Sequence, residues 1–174
     1  MSRFDELITT VEAYQALAAE NYARVRQMAE EIRAGLCDYL DAADGICVRL
    51  VPPAGEFQPK DYGDHAFSMP PRGFRPLGPI AFGLAVRVSH GTDWIRVTTQ
   101  CQKIGDFFIL DIQGGESFKL TLPLTKDDSA TLFEYVYQHV LNWFQSKMDQ
   151  YQQGEYGTRE IGFDFSREPE SAKA

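Results

Sequence analysis

The stretch from Pro79 to Leu122 limits what this chain can fold into more than any other part of its sequence. Apolar side chains occupy alternate positions over 80–88, and the positions between them are small or polar. A period of two puts the apolar set on one face of a β-strand. The alternation returns over 94–101, and shorter apolar runs follow at 107–112 and 118–122. Turn signals separate these runs, so the stretch predicts a meander of antiparallel strands.

A single long helix is predicted over 2–40, because an apolar row repeats there every seven residues. The row consists of Phe4, Val11, Ala18, Val25, Ile32 and Tyr39. Such a helix would be ~60 Å long, whereas a compact domain of this size is only ~30–40 Å across. Two outcomes stay open. The helix breaks near Asn21 or Gly35, or the overhanging part packs on a second chain.

A second helix is predicted over 129–153, where apolar side chains form two adjacent stripes. A helix that is apolar over so much of its surface needs cover on two sides. A short strand is predicted over 46–51 from the same kind of alternation. Together these segments predict an α+β fold. It consists of an antiparallel β-meander of four to five strands, flanked by a long N-terminal helix and a long C-terminal helix packed on one face.

Length and composition predict one domain over 1–153, with a proline-rich loop at 52–78. Seven of the nine prolines lie between Pro52 and Pro79, and no periodicity holds there. Loops of this length inside compact domains are commonly functional. The C-terminal tail over 154–174 is polar, except that apolar residues alternate within 159–165. That alternation predicts a last strand on a sheet edge.

The formal net charge of −8 argues against nucleic acid and anionic membranes as partners, because both need a basic surface. No uninterrupted apolar run approaches a membrane span, and the N-terminus lacks the pattern of a signal peptide. The three cysteines, Cys37, Cys47 and Cys101, are isolated, and their odd number does not fit a disulfide framework. We therefore expect a cytoplasmic protein with three reduced thiols.

The sequence carries no recognisable catalytic motif. Asp61, Asp64 and His65 form the one acidic cluster that includes a histidine, but their spacing matches no metal motif. No G-x-S-x-G, P-loop, H-E-x-x-H or G-x-G-x-x-G pattern occurs. His90 lies in a predicted turn and His139 on an apolar helix face. The sequence therefore indicates no catalytic residue, no metal site and no cofactor.

Candidate binding residues come from the proline-rich loop and from one face of the predicted sheet. Protein interfaces are enriched in aromatic and arginine side chains, and the loop carries both in an otherwise acidic chain. The sheet row from Trp94 to Gln100 would either line a groove or face solvent. The loop aromatics would instead cover the protein's own core if the loop is a stiff flap. The candidates are Phe57, Tyr62, His65, Arg72, Phe74, Arg75, Trp94 and Arg96.

These observations predict a non-enzymatic cytoplasmic protein-interaction module, such as an adaptor, a chaperone or an immunity-type protein. We expect a homodimer held by the helices, with a second protein partner at the 52–78 loop. The dimer contact would use a stripe on the first helix that bears Val11, Tyr14, Ala18, Tyr22 and Val25. The alternative is a small-molecule-binding or enzymatic domain, with a pocket between the sheet and the proline-rich flap.

Overall fold

The computed structural model describes residues 1–42, 45–69, 75–154 and 163–167, and these form two long helices and an antiparallel sheet. The helices are α1 (Arg3–Leu40) and α2 (Lys126–Gln152). The strands are β1 (Val48–Val51), β2 (Ile80–Arg87), β3 (Asp93–Ile104), β4 (Phe107–Ile112), β5 (Ser117–Leu120) and β6 (Asp164–Arg167), and a short 3-10 helix spans Gly63–Ala66. This architecture confirms the α+β fold that the sequence predicts.

Strands β1 to β5 lie side by side in chain order, each antiparallel to the next. β6 pairs with the first residues of β3, along the same edge of β3 with which β4 pairs farther on. This pairing places Phe165 opposite Ile95. Between β2 and β3 the register sets Leu84 opposite Val97 and Val86 opposite Ile95. Directly paired residues share a face of the sheet. The predicted apolar face is therefore continuous across strands, and both helices pack on it.

α1 is one unbroken helix, so of the two outcomes that the sequence left open, the break near Asn21 or Gly35 does not occur. Its first turn carries a capping box, in which the Asp5 N–H donates to the Ser2 hydroxyl (3.1 Å) and the Ser2 N–H donates to the Asp5 carboxylate (3.0 Å). The first buried side chain along the helix is Ala18. Roughly 15 residues, or ~22 Å of helix, therefore extend beyond the part that packs on the sheet.

This geometry divides the stripe that the sequence assigned to a dimer contact. Ala18, Tyr22 and Val25 are at most 4% exposed. They belong to the protein's own core, where the Tyr22 ring meets the Phe67 ring edge-on at 5.6 Å. These three side chains are therefore not available to a second chain. A partner surface on α1 has to lie N-terminal to Ala18, where the other two members of that stripe are found.

β6 covers part of α2, the helix that the sequence predicts to need cover on two sides. Phe165 lies 5.8 Å from the ring centre of Trp143 and 6.1 Å from that of Phe144. Phe163, just before the strand, lies 5.6 Å from Trp143. Of the predicted edge strand over 159–165, residues 159–162 lie outside the described ranges, and β6 itself begins at Asp164.

The two helices meet where Gly35 of α1 faces Phe133 of α2. A Cβ atom added at Gly35 would lie 2.6 Å from Phe133 Cζ, closer than carbon atoms approach each other. The missing side chain therefore allows the helices to come together. Their sequence neighbours Leu36 and Leu132 are fully buried. Glycine weakens an isolated helix, but at position 35 it allows α1 and α2 to pack closely.

Cys37 and Cys47 form a disulfide, so the expectation of three reduced thiols is wrong for this pair. Cys37 lies near the end of α1. The chain then reverses direction through Asp41 and Gly45, both at positive φ. Cys47 therefore lies beside Cys37, with 5.5 Å between their Cα atoms. Cys101 is a free, buried thiol.

We expect Gly35→Ala to lower the free energy of unfolding, although alanine is the better helix former. Helix propensity alone gives a gain of about 1 kcal/mol. Overpacking against Phe133 costs about 1–3 kcal/mol, so the net change is a loss on the order of 1 kcal/mol. Urea denaturation followed by circular dichroism measures it. In a Phe133→Leu background the same substitution should stabilise the protein, and stabilisation in the wild-type background would contradict the close contact.

Reduction of the Cys37–Cys47 disulfide is expected to lower the free energy of unfolding by about 2–3 kcal/mol, the chain-entropy value for a ring of this size. The measurement compares urea denaturation with and without reductant, and the Cys37→Ser/Cys47→Ser double variant should match the reduced protein in both. As a control, unfolded protein prepared without reductant should react through Cys101 alone. Reaction of all three thiols before reduction would show that the pair is not bonded.

Candidate functional site

Three of the predicted binding residues, Phe57, Trp94 and Arg96, meet on the face of the sheet that the helices leave uncovered. Each is at most 5% exposed. Arg96 Nη1 donates hydrogen bonds to the carbonyl oxygens of Pro52 (3.1 Å) and Gly55 (2.8 Å). The guanidinium carbon of Arg96 also lies 4.8 Å from the centre of the Phe57 ring. These contacts hold the first part of the proline-rich loop against the sheet.

A second small core fills the space between this part of the loop and the sheet. Its buried members are Val51, Phe57, Ala85 and Trp94. Gly83 makes room for the arginine, because a Cβ atom there would lie 2.8 Å from Arg96 Cδ. Tyr62 packs at the margin, where its hydroxyl accepts a hydrogen bond from the Gln58 N–H at 2.9 Å. The loop aromatics thus cover the protein's own core, as a stiff flap would.

A polar cluster beside α1 contains two more candidates. The Tyr22 hydroxyl and Arg26 Nη1 both donate to Asp64 Oδ1. The hydrogen bond from Tyr22 lowers the pKa of the Asp64 carboxyl, and the positive charge of Arg26 acts in the same direction. The guanidinium carbon of Arg75 lies 4.6 Å from the centre of the Tyr22 ring. His65 is exposed in the 3-10 helix next to Asp64. The cluster ties the loop to α1.

The structure therefore separates the predicted site residues into two groups, one on each side of the proline-rich loop. Arg72 and Phe74 lie outside the described residues. Asp61 and Asp64 serve different partners, since Asp61 Oδ1 accepts from the Gly63 N–H at 2.9 Å. Within the described ranges, no group of three or more His, Cys, Asp and Glu side chains could hold a metal ion.

A cleft of about 1190 Å³ opens between the end of α1, the middle of α2 and the turn that joins β2 to β3. Polar side chains in the lining include Ser89 and His90 at the turn and Asp41 at the end of α1. The apolar lining includes Leu36, Leu40, Val86, Val136, Val140 and Phe144. Such a lining suits an apolar group. Sequence reasoning missed the cleft because distant segments form it, although the two apolar stripes of α2 were a signal.

Two groups that could titrate, the half-buried His139 and the buried Cys101, are placed for packing rather than chemistry. The His139 ring stacks on Tyr135 at 5.6 Å and meets Phe163 edge-on at 5.2 Å. Burial lowers the pKa of His139, which favours its neutral form. Burial also raises the pKa of the Cys101 thiol to about 12. A thiol with that pKa stays protonated at neutral pH and is a poor nucleophile.

The overhanging part of α1 presents the largest run of exposed apolar side chains on one element. Phe4 is 68% exposed, Leu7 59% and Leu17 55%. We call this surface the N-terminal stripe, and it consists of Phe4, Leu7, Ile8, Val11, Tyr14 and Leu17. The charged side chains around it are mostly acidic and comprise Arg3, Asp5, Glu6, Glu12 and Glu20. The stripe continues the row that packs on the sheet farther along the same helix.

Comparison with protein-family models, with curated protein sequences and with solved structures found no match. Neither α1 nor α2, the long helices in the described part of the chain, has an apolar stretch sufficient to span a bilayer.

We expect Arg96→Leu to lower the free energy of unfolding by about 2–4 kcal/mol, because two carbonyl oxygens and one carboxylate lose their donor and the loop loses its anchor. Arg96 Nη2 also donates to Asp164 Oδ2 at 2.6 Å. The Asp164 side chain is 62% exposed, so Asp164→Asn should cost less than about 1 kcal/mol. Urea denaturation measures both changes. Equal losses would show that the ion pair, rather than the contacts with the loop backbone, carries the stabilisation.

Proposed function

We propose that this protein is a non-enzymatic interaction module that forms a homodimer through its N-terminal stripe. The observation that carries the proposal is the exposure of Phe4, Leu7 and Leu17, each more than half accessible to solvent. Contiguous apolar surface of this kind marks interaction sites in soluble proteins. The acidic side chains around the stripe disfavour an anionic membrane as the binding surface.

Helix energetics support a partner for this segment. An isolated helix of roughly 15 residues is marginal in water, because its hydrogen bonds barely offset the loss of backbone freedom. In proteins, most helix stability comes from packing an apolar face. The overhang has a capped end and an apolar face, but the described part of the chain buries none of its side chains before Ala18. A second helix against the stripe would supply the missing contact.

The symmetry of the stripe favours a second copy of the chain as that partner. In an antiparallel, two-fold arrangement centred between Thr10 and Val11, Phe4 of one copy lies beside Leu17 of the other, and Leu7 lies beside Tyr14. Two-fold pairing is also the commonest closed assembly of identical chains.

Two further expectations from the sequence belong to the proposal. A protein partner at the 52–78 loop stays a prediction, although Phe57 and Arg96 already serve to hold that loop on the sheet. The cytoplasmic location is a prediction that the Cys37–Cys47 disulfide weighs against, since the cytosol keeps most thiols reduced. Alkylation of thiols at cell lysis, followed by mass spectrometry, would test the location through the state of this pair.

The apolar cleft supports a second candidate, a protein that binds an apolar small molecule. The cleft differs in place from the pocket that the sequence suggested, because it lies on the helix side of the sheet. The space under the loop is occupied by the Phe57 and Arg96 side chains. Stabilisation by an apolar compound in a thermal-shift screen, with no dimer in solution, would favour this candidate.

We expect Leu7→Glu to convert the dimer into a folded monomer, because a charge in an apolar contact is costly. Sedimentation equilibrium at micromolar concentration measures the mass, and circular dichroism checks the fold. Leu7 lies outside the protein's own core, so the domain itself should stay intact. Val25 would be a poor choice, because it is fully buried within one chain.

Ala16→Glu is the matched control for this test. Ala16 is exposed on the opposite side of α1, so the same charge placed there should leave the dimer intact. A wild-type mass equal to one chain would contradict the proposal. Dissociation of the dimer by both substitutions alike would show that added charge, rather than the stripe, is responsible.

A further inference from the structure

The apolar cleft brings together exposed apolar side chains from separate segments of the chain. Phe165 of β6 is 56% exposed, Tyr137 of α2 is 40% exposed and Val88, just after β2, is 38% exposed. All three line the cleft, and so does Leu40, the half-buried last residue of α1. A concave surface on which apolar side chains converge is the usual form of a small-molecule site.

The size of the cleft suits a ligand with a long apolar body. Its volume of about 1190 Å³ is somewhat above the ~300–1,000 Å³ of common ligand sites. The most buried members of its lining are apolar and include Leu36, Val86 and Val136, each at most 6% exposed. Each methylene of a hydrocarbon chain that is buried against such side chains favours binding about fourfold.

Ser89 supplies a hydrogen-bond donor to the lining of the cleft, where its side chain is half-buried. Its hydroxyl oxygen accepts hydrogen bonds from the N–H groups of Gly91 and Asp93, both at 3.1 Å. A serine hydroxyl has two lone pairs and one proton, so these bonds leave only the proton for a further partner. That proton has no acceptor among the described residues. A ligand atom that binds Ser89 must therefore be an acceptor.

The charges around the cleft do not favour an anionic ligand. Besides His90 at the turn, the lining carries Arg87, Asp41 and Asp93, so aspartates outnumber arginine there. α1 ends at the cleft with Leu40, and its last turn contains no basic residue. The free carbonyl oxygens of a helix C-terminus add partial negative charge. A carboxylate in the cleft would therefore meet an unfavourable charge, although it could accept a hydrogen bond.

We propose that the cleft binds a small molecule that has a hydrocarbon body and an uncharged carbonyl head, as in a ketone, an ester or an amide. The body would lie against Leu36, Val86 and Val136, and the carbonyl oxygen would accept a hydrogen bond from the Ser89 hydroxyl. The proposal rests on the second candidate function and adds the chemical class of the ligand. The N-terminal stripe contributes no residue to the lining, so binding is independent of the dimer.

Other occupants fit these observations less well. An ammonium head can only donate hydrogen bonds, and the Ser89 oxygen has no lone pair left to accept one. A helix of a partner protein keeps its interior carbonyl oxygens in its own hydrogen bonds, so it offers no acceptor to Ser89 along its length. A pure hydrocarbon would fill the cleft but would leave the hydroxyl proton without a partner, which is costly in an enclosed site.

Displacement of the uncharged dye Nile red from the full-length protein tests the site and the head group. Decan-2-one should displace the dye, and octan-2-one, which is shorter by two methylenes, should bind about tenfold more weakly. Decanoate and decylammonium should each bind at least about fivefold more weakly than decan-2-one, because a charged head is costly there. Binding of either ion as tightly as decan-2-one would overturn the uncharged head. Displacement by none of the four compounds would overturn the second candidate function as well.

Substitution of Ser89 tests the contact with the carbonyl oxygen. 1-Chlorodecane is similar in length to decan-2-one, but its halogen is a poor acceptor, so it reports the apolar contacts alone. The affinity for decan-2-one relative to 1-chlorodecane should fall about fivefold in Ser89→Ala. It should stay near the wild-type ratio in Ser89→Thr, which keeps the hydroxyl. The ratio cancels any general change in the cleft that follows from the lost turn hydrogen bonds. An unchanged ratio in Ser89→Ala would overturn the inference and leave the second candidate function intact.

A steric block tests whether the ligand lies in the cleft. Val140 lines the cleft as a half-buried side chain, and Val140→Trp should weaken the binding of decan-2-one at least about tenfold by filling the space. Asn142→Trp is the matched control, since Asn142 is exposed on α2 and does not line the cleft. Circular dichroism checks that both variants are folded. Wild-type affinity in Val140→Trp would place the binding site elsewhere and overturn the proposal.

Discussion

The packing of the second half of α1 on the sheet is the contact on which the rest of the structure depends. From Ala18 onward, one face of the helix is buried, and each neighbouring element attaches to it. Asn21 donates to the carbonyl oxygens of Pro76 (3.1 Å) and Gly78 (3.3 Å), which fixes the end of the proline-rich loop. Phe133 of α2 packs against Gly35, and the disulfide from Cys37 to Cys47 links the end of α1 to the residue before β1. Loss of this contact would therefore release the loop, the second helix and the first strand together.

The sequence predicted the sheet and helices well because their patterns report burial directly. β2 and β3 keep a continuous apolar face toward the helices, although the loop covers part of their other face. Alternation therefore located them to within a few residues. The same reasoning misread Gly35, because helix propensity describes an isolated helix and not the approach of a second one. It also missed the disulfide, since the reversal that joins Cys37 to Cys47 passes through Asp41, a non-glycine residue at positive φ.

The candidate site could be predicted only in part. Sequence alternation correctly grouped Trp94 with Arg96 on the outer face of β3, but it could not decide between a solvated row and a covered one. The cover comes from Phe57 upstream and from β6 near the other end of the chain. Net charge was a similarly coarse guide, because an overall charge of −8 coexists with a pocket beside α1 whose lining includes Arg26, Arg33, Arg49 and Lys60. Both outcomes depend on contacts between distant segments, which a single sequence does not report.

The unbroken course of α1 fixes the geometry of the proposed dimer. The stripe and the buried face of the helix lie on one continuous element. Two copies paired through the stripe would therefore hold their sheets at opposite ends of a helical rod, at a separation set by helix length. An insertion in the overhang would change the distance between the two domains without changing the core of either one.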